Sequence, residues 1–256
     1  MLHKSNRPLL ATLSCLPAGG KEVKRLEWSL WPVWPKYDQQ AAAAELAVLR
    51  QLTQLQHLSI SGLPQAALFR ALPDLPAIPL RGMRHLDIYA CTETGLAVLL
   101  PAVQAVTFLR CCFTSHHGPN ADAAWPQRLQ LLTQLALLHI DQAHLAAIPA
   151  GLPATLTSLA IRHQRVVVAQ LHQLARLQRL RALSLSHTRS SACRWARGIA
   201  VQAALEELPP LPRLAVLDLT ATGLEEVPAT VAAQAALTML VLDLNRWAAA
   251  WLLRLS

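Results

Sequence analysis

The sequence predicts an α/β solenoid, with short parallel strands on one face of a stack and helices and turns on the other. Three observations predict it. Leucine fills 52 of the 256 positions while aromatic residues supply only 5%, and so aliphatic a core fits one repeated packing unit. The segment Leu211-Pro-Arg-Leu214-Ala-Val-Leu217-Asp-Leu219-Thr-Ala-Thr222-Gly-Leu224-Glu-Glu-Val227-Pro228 spaces its apolar residues by three, three and two, then passes a small polar residue. Neither a helical period nor simple alternation produces that spacing, whereas a short strand running into a turn does. The same spacing then recurs along the chain, which is the signature of a repeat architecture.

In chain order, a degenerate first copy is Val23-Leu26-Trp28. Leu52-Leu55-Leu58-Ile60, Leu80-Met83-Leu86-Ile88-Cys91, Val103-Val106-Leu109-Cys111 and Leu132-Leu135-Leu138-Ile140 follow, the last continuing into Leu145, Ile148 and Pro149. Pro153-Leu156-Leu159-Ile161, Leu177-Leu180-Leu183-Leu185, the Leu211 copy and Gln234-Leu237-Leu240-Leu242-Asn245 complete the series. The interval between copies runs from 21 residues (Leu138 to Leu159) to 34 (Leu183 to Leu217), so insertions interrupt the period. Between the copies, 41–50 is helical by propensity, and 95–103, 121–131, 168–177 and 196–208 are expected helices. Pro73, Pro76, Pro79, Pro209, Pro210 and Pro212 punctuate the boundaries. The longest interruptions are 115–126 and 189–198.

The pattern resembles the leucine-rich-repeat family, L-x-x-L-x-L-x-x-N/C-x-L, over roughly residues 20–250. That resemblance implies a curved horseshoe with parallel strands on its concave face, helices and turns on its convex face, and an asparagine ladder at the turns. Only Asn245 keeps the asparagine. Cys91, Thr114, Thr188 and Thr222 are weaker substitutes, and Leu63, Ala143 and Gln164 poorer ones, which predicts uneven curvature. The copy from Leu86 through Cys91 to Leu96 resembles the cysteine-containing repeats of F-box substrate receptors. Leu224-Glu-Glu-Val227-Pro228 and Leu145-Ala-Ala-Ile148-Pro149 resemble the LxxLP repeats of intracellular scaffolds. The expected organisation is an N-terminal lead or cap over 1–19, a solenoid of about nine irregular repeats over 20–246, and a capping helix over 247–256. Terminal coils expose core unless covered, a task suited to Trp247 and Trp251 at one end and Trp28, Trp31 and Trp34 at the other; the alternative for these tryptophans is a partner-binding aromatic patch.

Composition narrows the function. The net charge is +8, but the basic residues are scattered and no run of five occurs, so nucleic acid is not the expected partner. Five cysteines without a C-x-x-C do not make a disulfide framework or a zinc site. Asn6, Asn120 and Asn245 all lack a following Ser or Thr at the glycosylation spacing. Both facts point to the cytoplasm, and the family resemblance adds association with cytoskeleton or cilium. Lys4 and Arg7 before the apolar run 9–16 resemble a cleavable targeting segment, which stays open as an alternative. No apolar stretch reaches the roughly 18 residues of a membrane span. Nucleotide-binding, zinc-protease and nucleophile-elbow motifs are missing, so no catalytic or cofactor-binding residue is expected. His139-Ile-Asp141-Gln-Ala-His144 has no second cluster to complete a metal site, and His116-His117 reads as surface loop.

In each copy the leucines point inward, and the residues between them face the concave side. Three columns result: Arg25, His57, His85, Phe108, Leu137, Ser158, Ala182 and Val216; Glu27, Ser59, Asp87, Arg110, His139, Ala160, Ser184 and Asp218; and Ser61, Tyr89, Cys112, Asp141, Arg162, Ser186, Thr220 and Asp243. The middle copies supply the candidate contact patch: His85, Asp87, Tyr89, Phe108, Arg110, Phe113, His139, Asp141 and Arg162. Tyr and Arg are frequent anchors of protein interfaces. The expected function is a monomeric, non-catalytic scaffold that binds a protein partner on this face. The alternatives are a substrate-recognition subunit of a ubiquitin ligase and a structural component of a cytoskeletal or ciliary assembly.

Overall fold

The structure is a computed structural model. It describes residues 2–5, 23–29, 52, 54–61, 82–91, 93–113, 125–142, 145, 147–162, 170–187 and 196–245. The expected helix at 41–50, the capping helix at 247–256, Trp31, Trp34, His116, His117, His144 and five of the turn-column residues (Leu63, Thr114, Ala143, Gln164 and Thr188) lie outside those residues. The described chain forms two compact units, one from Met1–Thr114 with Asn120–Leu135, the other from Ser115–Pro119 with Ala136–Ser256.

In the first unit, strands β1 (Leu2–Ser5), β2 (Arg25–Ser29), β3 (His57–Ser61), β4 (His85–Cys91) and β5 (Phe108–Phe113) pair in parallel in sequence order. The register sets Leu26, Leu58, Leu86 and Leu109 in one row and Ile60, Ile88 and Cys111 in the next. All seven are buried. Neighbouring coils therefore close a core that no single coil can close, at about 1.5–3 kcal/mol per fully buried side chain. Helix α1 (Glu93–Leu99) and a 3₁₀ turn, Leu100–Ala102, follow β4. Helix α2 (Trp125–Arg128) covers the far side of β5, where Trp125 packs against Phe113 with ring centroids 5.2 Å apart. Arg128 Nη1 donates to the Ala97 carbonyl at 2.5 Å and ties α2 to α1.

In the second unit, β6 (Leu137–Asp141), β7 (Ser158–Arg162), β8 (Ala182–Ser184), β9 (Val216–Asp218) and β10 (Met239–Val241) repeat the arrangement. Leu138, Leu159, Leu183, Leu217 and Leu240 share one row. The 34-residue step from Leu183 to Leu217 holds the longest described helix, α3 (Ala196–Glu206). The 24-residue step from Leu159 to Leu183 holds a 3₁₀ helix, Leu171–Arg176, where the sequence predicts a longer helix over 168–177. A 3₁₀ helix rises faster per residue and spans the same width with less chain. A one-turn helix, α4 (Ala229–Ala232), precedes β10.

Two backbone devices repeat from coil to coil. The carbonyl just ahead of one strand accepts two N–H groups of the next: Lys24 from Gln56 and His57, Gln56 from Arg84 and His85, Arg84 from Thr107 and Phe108. In the second unit Ala136, Thr157, Arg181 and Ala215 do the same. Thr107, Thr157 and Thr238 add a hydroxyl donor to the carbonyl they face, at 3.0, 3.0 and 3.1 Å. At the strand exits of the second unit, Gln142, His187, Ala221 and Leu244 take left-handed backbone, φ 54–60°. This turns the chain off the sheet one residue before the turn column. Parallel strands, one per coil, with a leucine row beneath them are a leucine-rich-repeat solenoid.

Candidate functional site

The outward side chains of the first unit form a ring stack. Parallel register sets His57, His85 and Phe108 side by side, and adjacent strands lie about 4.8 Å apart. The rings meet face to face: His57 and His85 at 3.9 Å and 13°, His85 and Phe108 at 4.0 Å and 6°. Both faces of His85 are thereby covered and its edge is left to solvent. Burial lowers the pKa of His85 to about 4, helped by His57 and then Arg25. Burial also lowers the His57 value, with Arg25 adding and Glu27 opposing. Both imidazoles are thus neutral near pH 7, and the stack presents an apolar surface edged with polar nitrogen.

Beside the stack, Arg25 is clamped by Glu27 through Nε at 2.8 Å and Nη2 at 2.5 Å. Asp87 sits in register with Ser59 and Arg110, and Tyr89 with Cys112. The Arg110 guanidinium lies over the Tyr89 ring, 4.9 Å from its centroid, a cation–π geometry that pre-orders a long side chain. His85, Asp87, Tyr89, Phe108 and Arg110 are all partly exposed, and the structure brings them together on one sheet face. Phe113 is not on it. At 5% exposure it faces inward against Trp125. The register shift between Tyr89 and Cys91 places Cys91 opposite Phe113, and the strand's alternation gives Phe113 the buried parity of Leu109 and Cys111.

In the second unit, His139 is half-buried, whereas Asp141 is only 7% exposed. Arg162 heads a polar chain that the column positions contain but sequence reasoning did not single out. Its Nε donates to Ser184 Oγ at 3.0 Å, and its Nη2 lies 3.7 Å from Asp218 Oδ2. Ser184 Oγ donates to Asp218 Oδ2 at 2.8 Å and lies 3.1 Å from Ser186 Oγ. Asp218 Oδ1 accepts from the Thr220 hydroxyl at 2.6 Å and the Thr220 amide at 3.0 Å. Burial alone would raise the Asp218 pKa; the bonds from Thr220 and Ser184 and the Arg162 charge outweigh it and hold the value low. The available signal was the shared column, with Leu-Asp-Leu-Thr at 217–220 beside Leu-Ser-Leu-Ser at 183–186.

An open depression at the leading ends of the second unit's strands is lined by Thr157, Arg179, Arg181 and Arg213. Among the described residues no group of three His, Cys, Asp or Glu side chains is placed to hold a metal ion. No described helix is long and apolar enough to cross a membrane.

No family model matches the chain, and no curated protein matches it. Among solved structures it is similar to an internalin from Listeria monocytogenes, with 17% identity over 79% of this chain and 58% of that one, and a TM-score of 0.47. The chain therefore spans less than two thirds of that neighbour's length.

Proposed function

We propose that this chain is a non-catalytic protein-interaction scaffold that grips its partner with the outward strand face of the first unit. The observation that carries the reading is the ring stack His57–His85–Phe108 beside the Arg110–Tyr89 pair, all partly exposed on a sheet whose other face is largely aliphatic. Aromatic and arginine side chains already ordered by their neighbours lose little freedom on binding, which favours them as anchors. The partner is a protein that offers apolar and acidic groups to this surface. His139 and Arg162 are secondary contact residues of the second unit; Asp141 and Phe113, being buried, support the fold instead.

The test begins with proximity labelling in cells to name partners. Binding of a purified partner is then measured against the full chain and against Tyr89→Ala/Arg110→Ala. The double variant is expected to bind at least about tenfold more weakly, with circular dichroism unchanged. Equal affinity with an intact fold rejects the reading.

A further inference from the structure

The geometry points to a second recognition site in the second unit: the depression lined by Thr157, Arg179, Arg181 and Arg213 takes a phosphoryl group on a side chain of a protein partner. Two other arginines of this unit, Arg162 and Arg176, are occupied. Arg162 is held by Ser184 and Asp218, and Arg176 donates to the carbonyls of Pro149 and Ala150. Among the described residues, Arg179, Arg181 and Arg213 make no side-chain hydrogen bond or ion pair, and all three are exposed at one depression. Two come from the turn leading into β8 and one from the turn leading into β9, so adjacent coils aim them at one place.

The chemistry of the group follows from these donors. The backbone N–H groups of Arg181, Ala182, Ala215 and Val216 are spent on the carbonyl column, so the three guanidinium groups are the charged donors that face an anion here. One carboxylate is satisfied by a single guanidinium fork, whereas a phosphoryl group brings three acceptor oxygens and a charge of about −1.5 to −2. No ring lines the depression, while single-stranded nucleic acid is held over about 4–16 nucleotides by stacking rings. Three cations also fall short of the clusters of about four to eight that read anionic membranes. The site shares with the proposed function only the premise of a protein partner and uses none of its contact residues.

The test uses the full chain and a degenerate peptide pool built around one phosphoserine, with the same pool carrying serine as its control. The phosphorylated pool is expected to bind and inorganic phosphate to displace it, while the serine pool does not bind. Arg181→Gln and Arg213→Gln, both exposed, are each expected to weaken binding about tenfold or more, and Tyr89→Ala/Arg110→Ala to leave it unchanged. Equal binding of the two pools, or indifference to either arginine variant, overturns the site. Tighter arginine-dependent binding of oligothymidylate, or of vesicles containing phosphatidylserine, overturns its assignment to a phosphorylated protein segment. Failure of the strand-face double variant against its own partner, with phosphopeptide binding intact, separates the two readings.

Discussion

His85 shows how a single ring couples packing to pH. Its folded pKa of about 4 lies below the ordinary value of 6.5, so its neutral form contributes stability that is fully present above about 6.5 and lost as the pH falls to about 4. Asp218 is also depressed, below 3.8; its charged form contributes stability present above that value and lost as the pH falls through the folded one. The urea midpoint is expected to decline from pH 7 to pH 4, and less steeply in His85→Phe, because a phenyl ring keeps the stack and cannot take up a proton. An equal decline in the variant would contradict this account. Asn245 and Gln234 are the other residues with a measurable individual role. Asn245 Oδ1 accepts from the amides of Thr222, Gly223 and Leu224 at 3.0, 2.8 and 3.2 Å, while Nδ2 donates to the carbonyls of Leu219 and Leu242. Gln234, 5% exposed, accepts from the Leu211 amide at 2.9 Å and donates to the carbonyls of Pro209 and Thr230. Truncation strands buried backbone groups at about 1–3 kcal/mol. Asn245→Ala should therefore speed hydrogen exchange at Gly223 and Leu224 first. Gln234→Ala should lower the urea midpoint although it removes a polar atom from the interior.

Each strand is defined by what lies beneath it and by what starts it. The leucine row beneath contributes most of the stability. Leu138 is fully buried and its register partner is Leu159. Leu138→Ala is expected to cost about 2–5 kcal/mol, read as a loss of urea stability at unchanged slope. The shared carbonyl that starts each strand contributes less energy, and it sets register: one acceptor takes two successive amides of the next coil, so a slip by one residue breaks both. Helices are subordinate to this ladder. The 34-residue interval holds α3, the 23-residue interval from Leu86 to Leu109 holds α1, and the 24-residue interval from Leu159 to Leu183 holds a 3₁₀ helix with Arg176 closing on the carbonyls behind it. Burial of the Arg176 guanidinium lowers its pKa, consistent with this tethered role.

Within each unit the coils touch their immediate neighbours, so stability is nearly the sum of what each coil and each coil–coil interface contributes. Leu217→Ala is therefore expected to accelerate amide exchange in β8 and β10, its register partners, before it does so in β6. Uniform acceleration across the second unit would mean that cooperativity extends further than nearest neighbours.

The period, the inward leucines and the outward columns were legible in the sequence because a single spacing rule, repeated, leaves side-chain direction no freedom: Leu58 and Leu86, or His85 and Phe108, had to fall in register once each copy made one strand. Asn245 was legible for the same reason, since the turn needs an amide that both donates and accepts. Phe113 was legible by the same rule, since it shares the parity of Leu109 and Cys111; placing it on the outward face went against the alternation that sets Phe108, Arg110 and Cys112 outward. The packing of His57 on His85, the closure of Arg162 on Ser184 and Asp218, and the gathering of Arg179, Arg181 and Arg213 were decided only by the tertiary structure. Those contacts join coils more than twenty positions apart in the chain, and their distances depend on how coils of unequal length settle against one another. The repeated spacing determined which residues form the buried leucine rows; folding settled which side chains meet, and it buried Asp141, Ser184 and Ser186 although their columns face outward.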